Sequence, residues 1–110
     1  MSLPSVDLLE ELRVALDELE PLLDARIVDI EMSRLQVLAD PELFRREFAS
    51  LIRAALDDAQ PALSITVRVT RLGSDALVEV LREPGGGRAS DVIGSITLPI
   101  PKGTSSAHDA

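Results

Sequence analysis

The sequence predicts an α/β protein, a two-layer sandwich in which two helices pack on one face of a mixed four- to five-stranded sheet. Three observations carry that prediction. Leucines recur at spacings of three and four along residues 8–23. Residues 42–59 repeat that spacing, with both phenylalanines of the chain among them. Between and after these runs lie short segments whose apolar residues alternate with polar ones, the period of a half-buried strand.

The first run places Leu8, Leu9, Leu12, Ala15, Leu16, Leu19, Leu22 and Leu23 on one side and acidic residues between them. That is an amphipathic helix of about four turns. Asp7 or Ser5 can cap its start, and the acidic first turn suits the helix dipole. IVDIEM (27–32) then sets Val28, Ile30 and Met32 against Asp29 and Glu31, a strand. LQVLADP (35–41) is a second short strand or an extended approach, ended by Pro41. Asp40 stands where it can cap a helix starting near Pro41, since proline is tolerated in the first turn. That helix, about 42–59, turns Phe44, Phe48, Leu51, Ile52, Ala55, Leu56 and Ala59 inward, and Gln60 with Pro61 stops it.

SITVRVT (64–70) and ALVEVL (76–81) flank Gly73, Ser74 and Asp75, which reads as a hairpin. EPGGGRAS (83–90) is a glycine-rich loop. SITLPIP (95–101) alternates Ile96, Leu98 and Ile100, and Pro99 and Pro101 restrict it to an edge strand or the end of one. Residues 1–102 read as a single domain and 103–110 as a flexible tail.

Composition narrows the function classes. The 110 residues suit one domain, and a 45% hydrophobic content excludes general disorder. With Phe44 and Phe48 as the only aromatic residues, the core is aliphatic and stacking platforms for bases are absent. A net charge of −8 repels nucleic acid and anionic membrane. No cysteine is present, so disulfides and thiolate metal sites are excluded. No run is apolar enough to span a bilayer and no signal-peptide pattern opens the chain, so a cytoplasmic location is expected.

The run VLADPELFRREFASLIRAALDDAQPALSITVRV resembles the ATP-binding catalytic domain of sensor histidine kinases, the Bergerat or GHKL ATPase fold. The family pattern is Asp-Pro, a helix of the form L-x-x-x-L-x-N-L-x-x-N-A-x-K, a loop, and a strand rich in I-T-V. Upstream, SVDLLEELRVALDELEPLLDARIVDIEM is similar to that domain's opening strand, first helix and second strand. LVEVLREPGGG falls where the family has a strand followed by D-x-G-x-G, and GSITLPIP resembles its closing strand, G-S-T-F-x-x-x-L-P. The likeness runs over about residues 5–101.

The resemblance also implies which residues to inspect. With Asp40 and Pro41 on the family's Asp-Pro, the first asparagine of the helix falls on Ser50 and the second, which holds Mg²⁺ in the family, on Ala54. The basic residue three positions later falls on Asp57. Positions 50, 54 and 57 share a helix face. Alanine offers a hard cation no oxygen. A unit charge pair at ~4 Å and an effective dielectric of 20 is worth ~4 kcal/mol, so Asp57 in place of a cation works strongly against a triphosphate. The family aspartate that accepts from the adenine amino group falls on Arg82, or on Glu83 with a shift of one. The family's lid, second glycine box and following helix shrink here to residues 88–93, with no helix after Gly85, Gly86 and Gly87 to aim N–H groups at a phosphate.

Other candidates carry less chemistry. Asp57 and Asp58 with Glu47 are acidic enough for a cation but read as solvated carboxylates, and Glu79 and Glu83 have no nucleophile converging on them. His108 lies in a Ser/Ala tail, unlike a phosphoacceptor histidine on an acidic helix. Arg45, Arg46 and Arg53 either dock an acidic partner or pair with Glu42, Glu47 or Asp57.

The expected function is therefore a non-catalytic, histidine kinase-like module for protein interaction or scaffolding in bacterial signal transduction, with its ATP site lost and no cofactor or metal. The alternatives are the ATP-binding half of a split or excised sensor kinase, and a switch protein related to anti-sigma factors. The expected partner is a kinase, a response regulator, a sigma-factor regulator or a second copy forming a homodimer, with apolar surface left bare by the shortened lid as the reason for association.

Overall fold

A computed structural model describes residues 3–23, 28–56, 64–83 and 91–101. The expected inward position of Ala59, the stop at Gln60 and Pro61, the loop at 84–90 and the tail at 103–110 lie outside the described residues, as do Asp57, Asp58 and His108.

Strand β1 (Ser5–Asp7) runs straight into helix α1 (Leu8–Glu18). Asp7 makes the junction. Its backbone is still extended (φ −79°, ψ 110°), while its Oδ1 accepts from the N–H groups of Leu9 at 3.1 Å and Glu10 at 3.4 Å. Arg34 Nε donates to Oδ2 at 2.9 Å. Partial burial pushes the carboxyl pKa up, but the hydrogen bond from Arg34 and the two backbone donors outweigh it and hold the group below its ordinary 3.8.

The leucine run does not form one continuous helix. It breaks at Leu19, whose N–H closes onto the carbonyls of Ala15 and Leu16, both at 3.1 Å. A single turn, α2 (Glu20–Leu23), follows. Pro21 is the reason, since it has no N–H to offer Asp17 four residues back and its ring crowds that carbonyl. Leu19 and Leu23 stay buried, so the turn keeps the apolar stripe on the core while Leu22 is exposed.

Strand β2 (Val28–Glu31) leads to β3 (Gln36–Leu38), helix α3 (Pro41–Leu56), β4 (Ser64–Leu72), β5 (Asp75–Glu83) and β6 (Asp91–Pro99). Four strands form the main sheet in the order β2-β4-β5-β6. β2 runs parallel to β4 and the other neighbours are antiparallel. The expected strand at 35–41 does not join that sheet. As β3 it pairs with β1, with Val6 opposite Val37, in a small sheet of its own. β6 is an edge strand, as its prolines require, but it is longer than expected and begins at Asp91. Its pairing slips between Val80 and Leu81, which leaves Ile93 as the extra residue of a bulge.

The hairpin closes with a two-residue loop, Leu72 pairing with Asp75. Gly73 takes φ +62° there, the left-handed conformation that such loops demand of their first residue. Alternation then sorts the sheet. Ile65, Val67, Val78 and Val80 turn to the helices and are fully buried, while Arg68 turns away and donates from Nε to Glu31 Oε1 at 3.1 Å. Against the first face pack Leu8, Leu12 and Ala15 of α1 and Phe44, Phe48, Ile52 and Ala55 of α3, all in one core. Each fully buried large aliphatic or phenyl side chain contributes roughly 1.5–3 kcal/mol.

Candidate functional site

Helix α3 carries every position that the sequence singled out along 45–56, and its start fixes their direction. Asp40 Oδ1 accepts from Glu42 N at 3.0 Å and from Leu43 N at 3.4 Å, and Pro41 takes the first helical position. Phe44 and Phe48 then stack one turn apart, ring centres 5.9 Å apart and planes 16° off parallel. With Ile52 and Ala55 they form the buried stripe. At 3.6 residues per turn, Ser50 and Ala54 come out roughly 200° and 240° round from Phe48. Both are exposed. The packing of the phenylalanines thus delivers positions 50 and 54 together to the solvent side. Asp57, the third member of that face, lies outside the described residues.

Ser50 borders a groove between α3 and strand β6. Its lining is Glu47, Ser50, Leu51, Ser95, Ile96 and Thr97, and its volume is about 470 Å³. Gly94 sets how near the two elements come, because a Cβ there would run into the Leu51 side chain. By alternation with Val78 and Glu79, Ile96 turns toward α3 while Ser95 and Thr97 turn to the other face and border the groove along the strand. From α3 the groove is therefore offered the Ser50 hydroxyl, the Leu51 side chain and one carboxylate. No cation lines it. A neutral polar group is well served there, whereas a polyphosphate meets Glu47 with nothing to offset it. Neither Ala54 nor Arg82 lines the groove. Arg82 lies near the end of β5, on the helix-covered face by alternation with Val80, and pairs in register with Ile65 and Asp91. It is half-buried and has an interaction partner.

The arginines of α3 divide. Arg45 pairs with neither Glu42 nor Glu47. Its Nε donates to the Pro41 carbonyl at 3.2 Å, and its guanidinium reaches across to α1, 3.9 Å from Glu11 and 3.7 Å from Glu18. Glu11 Oε1 is buried and has no hydrogen bond among the described residues, so Arg45 gives it charge compensation at a distance. Arg46 and Arg53 make no ion pair among the described residues, and both border an open groove of about 470 Å³ between α1 and α3. Glu79 sits half-buried on the far face of β5, in register with Arg68 and Ser95. Among the described residues no cluster of three or more His, Cys, Asp or Glu could hold a metal ion.

Sequence reasoning found Ser50 but not the wall opposite. Ser95 and Thr97 were legible as the polar partners of Ile96 and Leu98, yet nothing local says that this strand passes beside α3. Gly94 was the available signal, since glycine inside a strand marks a close approach.

No family model matches the sequence, and no curated protein matches it. Solved structures do. The mycobacterial sensor histidine kinase MprB superposes with a TM-score of 0.65 at 17% identity, over 76% of this chain and 55% of that one. The catalytic domain of histidine kinase ThkA gives 0.63 at 17%, over 76% and 60%. The fold is that of a histidine kinase catalytic domain. The Acinetobacter baumannii histidine kinase AdeS agrees, at 0.63 and 15%, over 81% of this chain and 47% of its own. ThkA has also been solved in complex with the response regulator protein TrrA. The chain thus matches about half to three fifths of the length of MprB, ThkA and AdeS, as the shares of 55%, 60% and 47% state. Among the described residues no helix is long and apolar enough to cross a membrane.

Proposed function

We propose that this chain is a histidine kinase-like signalling module whose ATP site has been lost and which works by binding another protein in the cytoplasm. The observation that carries the reading is the solvent face of α3. Under the family resemblance Ser50 and Ala54 stand where two asparagines serve Mg²⁺ and phosphate; both are exposed, and Ser50 borders a groove whose charged lining is a single carboxylate. Alanine cannot ligate the cation, and a serine hydroxyl is a poor replacement for a carboxamide reaching a phosphate-bound metal. The short stretch 88–93 in the place of the family's lid supports the same reading, as does Arg82 in the place of the adenine-accepting aspartate.

The partner class follows by analogy with ThkA, which was solved with a response regulator. We place a response regulator first, ahead of a kinase or a sigma-factor regulator. Calorimetric titration of the chain with ATP, with and without Mg²⁺, tests the first half of the reading. No heat up to millimolar nucleotide from a folded α/β protein is the expected result. Micromolar, Mg²⁺-dependent binding overturns it and makes the chain the ATP-binding part of a split kinase.

A further inference from the structure

The two edges of the main sheet are built differently. On one side β2 is short, and its solvent-side residues are Asp29 and Glu31. Charges on a short edge strand are an established protection against pairing with another chain. On the other side β6 has nine residues, and residues 92–98, VIGSITL, contain no charged side chain. Among the described residues no strand pairs with its outer edge. The usual protections stand only at its ends: the bulge at Ile93 and the proline at 99. Residues 94–98 between them carry no charge and their outward N–H and C=O groups join no ladder among the described residues, with Leu3, Leu38 and Asp40 bordering a groove along Ile96–Pro99. The groove bounded by Ser95, Ile96 and Thr97 runs beside the same stretch, so the space next to it is open.

We infer that β6 is the dimerisation strand, pairing antiparallel with β6 of a second copy across a two-fold axis. A strand is its own complement in that arrangement, each donor facing an acceptor of the other chain, and the contact closes on itself. Charge selects the same occupant. Two chains of net charge −8 repel over most approaches, and β6 is where they meet with no charged side chain between residues 92 and 98. The charged groups lining the grooves along β6 are Glu47 and Asp40, which disfavour an acidic foreign strand and leave an uncharged one unopposed. The other edge keeps the assembly finite, because Asp29 and Glu31 block growth through β2.

This inference stands apart from the fate of the ATP site, and its test uses no nucleotide. Sedimentation velocity of the full chain at micromolar to hundred-micromolar concentration is compared with the Thr97→Lys and Ser95→Lys variants, whose side chains are exposed and leave the core untouched. The expected result is a wild-type dimer, strengthened by salt as the net repulsion is screened. Each lysine, present twice across the axis, raises the dissociation constant at least ~10-fold, a change of ~1.4 kcal/mol, while the circular-dichroism spectrum and unfolding midpoint stay put. Slowed amide exchange at residues 94–98 in the wild type, lost in the variants, identifies the strand. A wild-type monomer throughout the range, a dimer indifferent to both lysines, or an open-ended polymer overturns the inference.

Discussion

Helix α3 has two faces, and they answer to different constraints. Phe44, Phe48, Ile52 and Ala55 are fixed by the sheet beneath them, and each is at most 2% exposed. Glu47, Ser50 and Ala54 are exposed. One helix therefore holds residues whose identity is dictated by packing beside residues whose identity is left to function. The lesson concerns what each face tolerates: substitutions on the outer face can change the chemistry that a helix presents without loosening the scaffold beneath it.

The comparison breaks most visibly at Phe48. Phe48→Ala removes a fully buried ring and its stack on Phe44, and is expected to lower stability by ~3–5 kcal/mol in urea unfolding. That is a large share of the ~5–15 kcal/mol typical of a domain. A loss below 1 kcal/mol would show that the inner face is not the anchor. Asp40→Ala tests how the two faces are aimed, since the cap starts the helix, and an intermediate loss of ~1 kcal/mol is expected by the same measurement.

The double change Ser50→Asn with Ala54→Asn sharpens the contrast from the other side. It restores the family's asparagines on the exposed face and is expected to alter stability by less than ~1 kcal/mol, the helix-propensity difference alone. Calorimetry of that variant should still show no ATP binding, because Glu47 remains and Arg82 stands at the adenine end. Binding would mean that two side chains were all that separated the chain from a working site.

The smallest effect lies away from α3, at the Asp7 cap. Its folded pKa is below the ordinary 3.8, so the unfolded chain takes up its proton first on acidification. The resulting stability is complete above that value and is lost as pH falls through the lowered folded pKa. Asp7→Asn keeps an oxygen to cap the helix and should flatten this part of the acid-unfolding profile, read by circular dichroism below pH 4.

Legibility in the sequence followed the range of the interactions. The caps at Asp7 and Asp40, the hairpin around Gly73 and the alternation of β4 and β5 depend on near neighbours, and all were readable. So was the likeness to kinase catalytic domains, because VLADP and its helix keep their spacing while the side chains change. Pro21 was present in the leucine run, but the leucine period obscured the break it causes. The pairing of β3 with β1 and the place of β6 beside α3 join residues about thirty positions apart or more, for which no local pattern exists. The positions proposed as a vanished ATP site were identified through the resemblance alone, since an exposed serine and alanine carry no signal of their own.

The tight loop at Gly73 also sets a timetable. β4 and β5 are joined by two residues and pair along nine positions, so their ladder closes at little entropic expense, on the microsecond scale of hairpins. β2 must find the other side of β4 in parallel, across the whole of β3 and α3, and that closure waits for the helix to form and dock. In pulse-labelled hydrogen exchange the amides of β4 and β5 should gain protection before those of β2. Until β2 arrives, the edge of β4 along Ile65–Arg68 is left unpaired, so this chain is most vulnerable to capture by its neighbours while it folds, at a place that the finished molecule no longer shows.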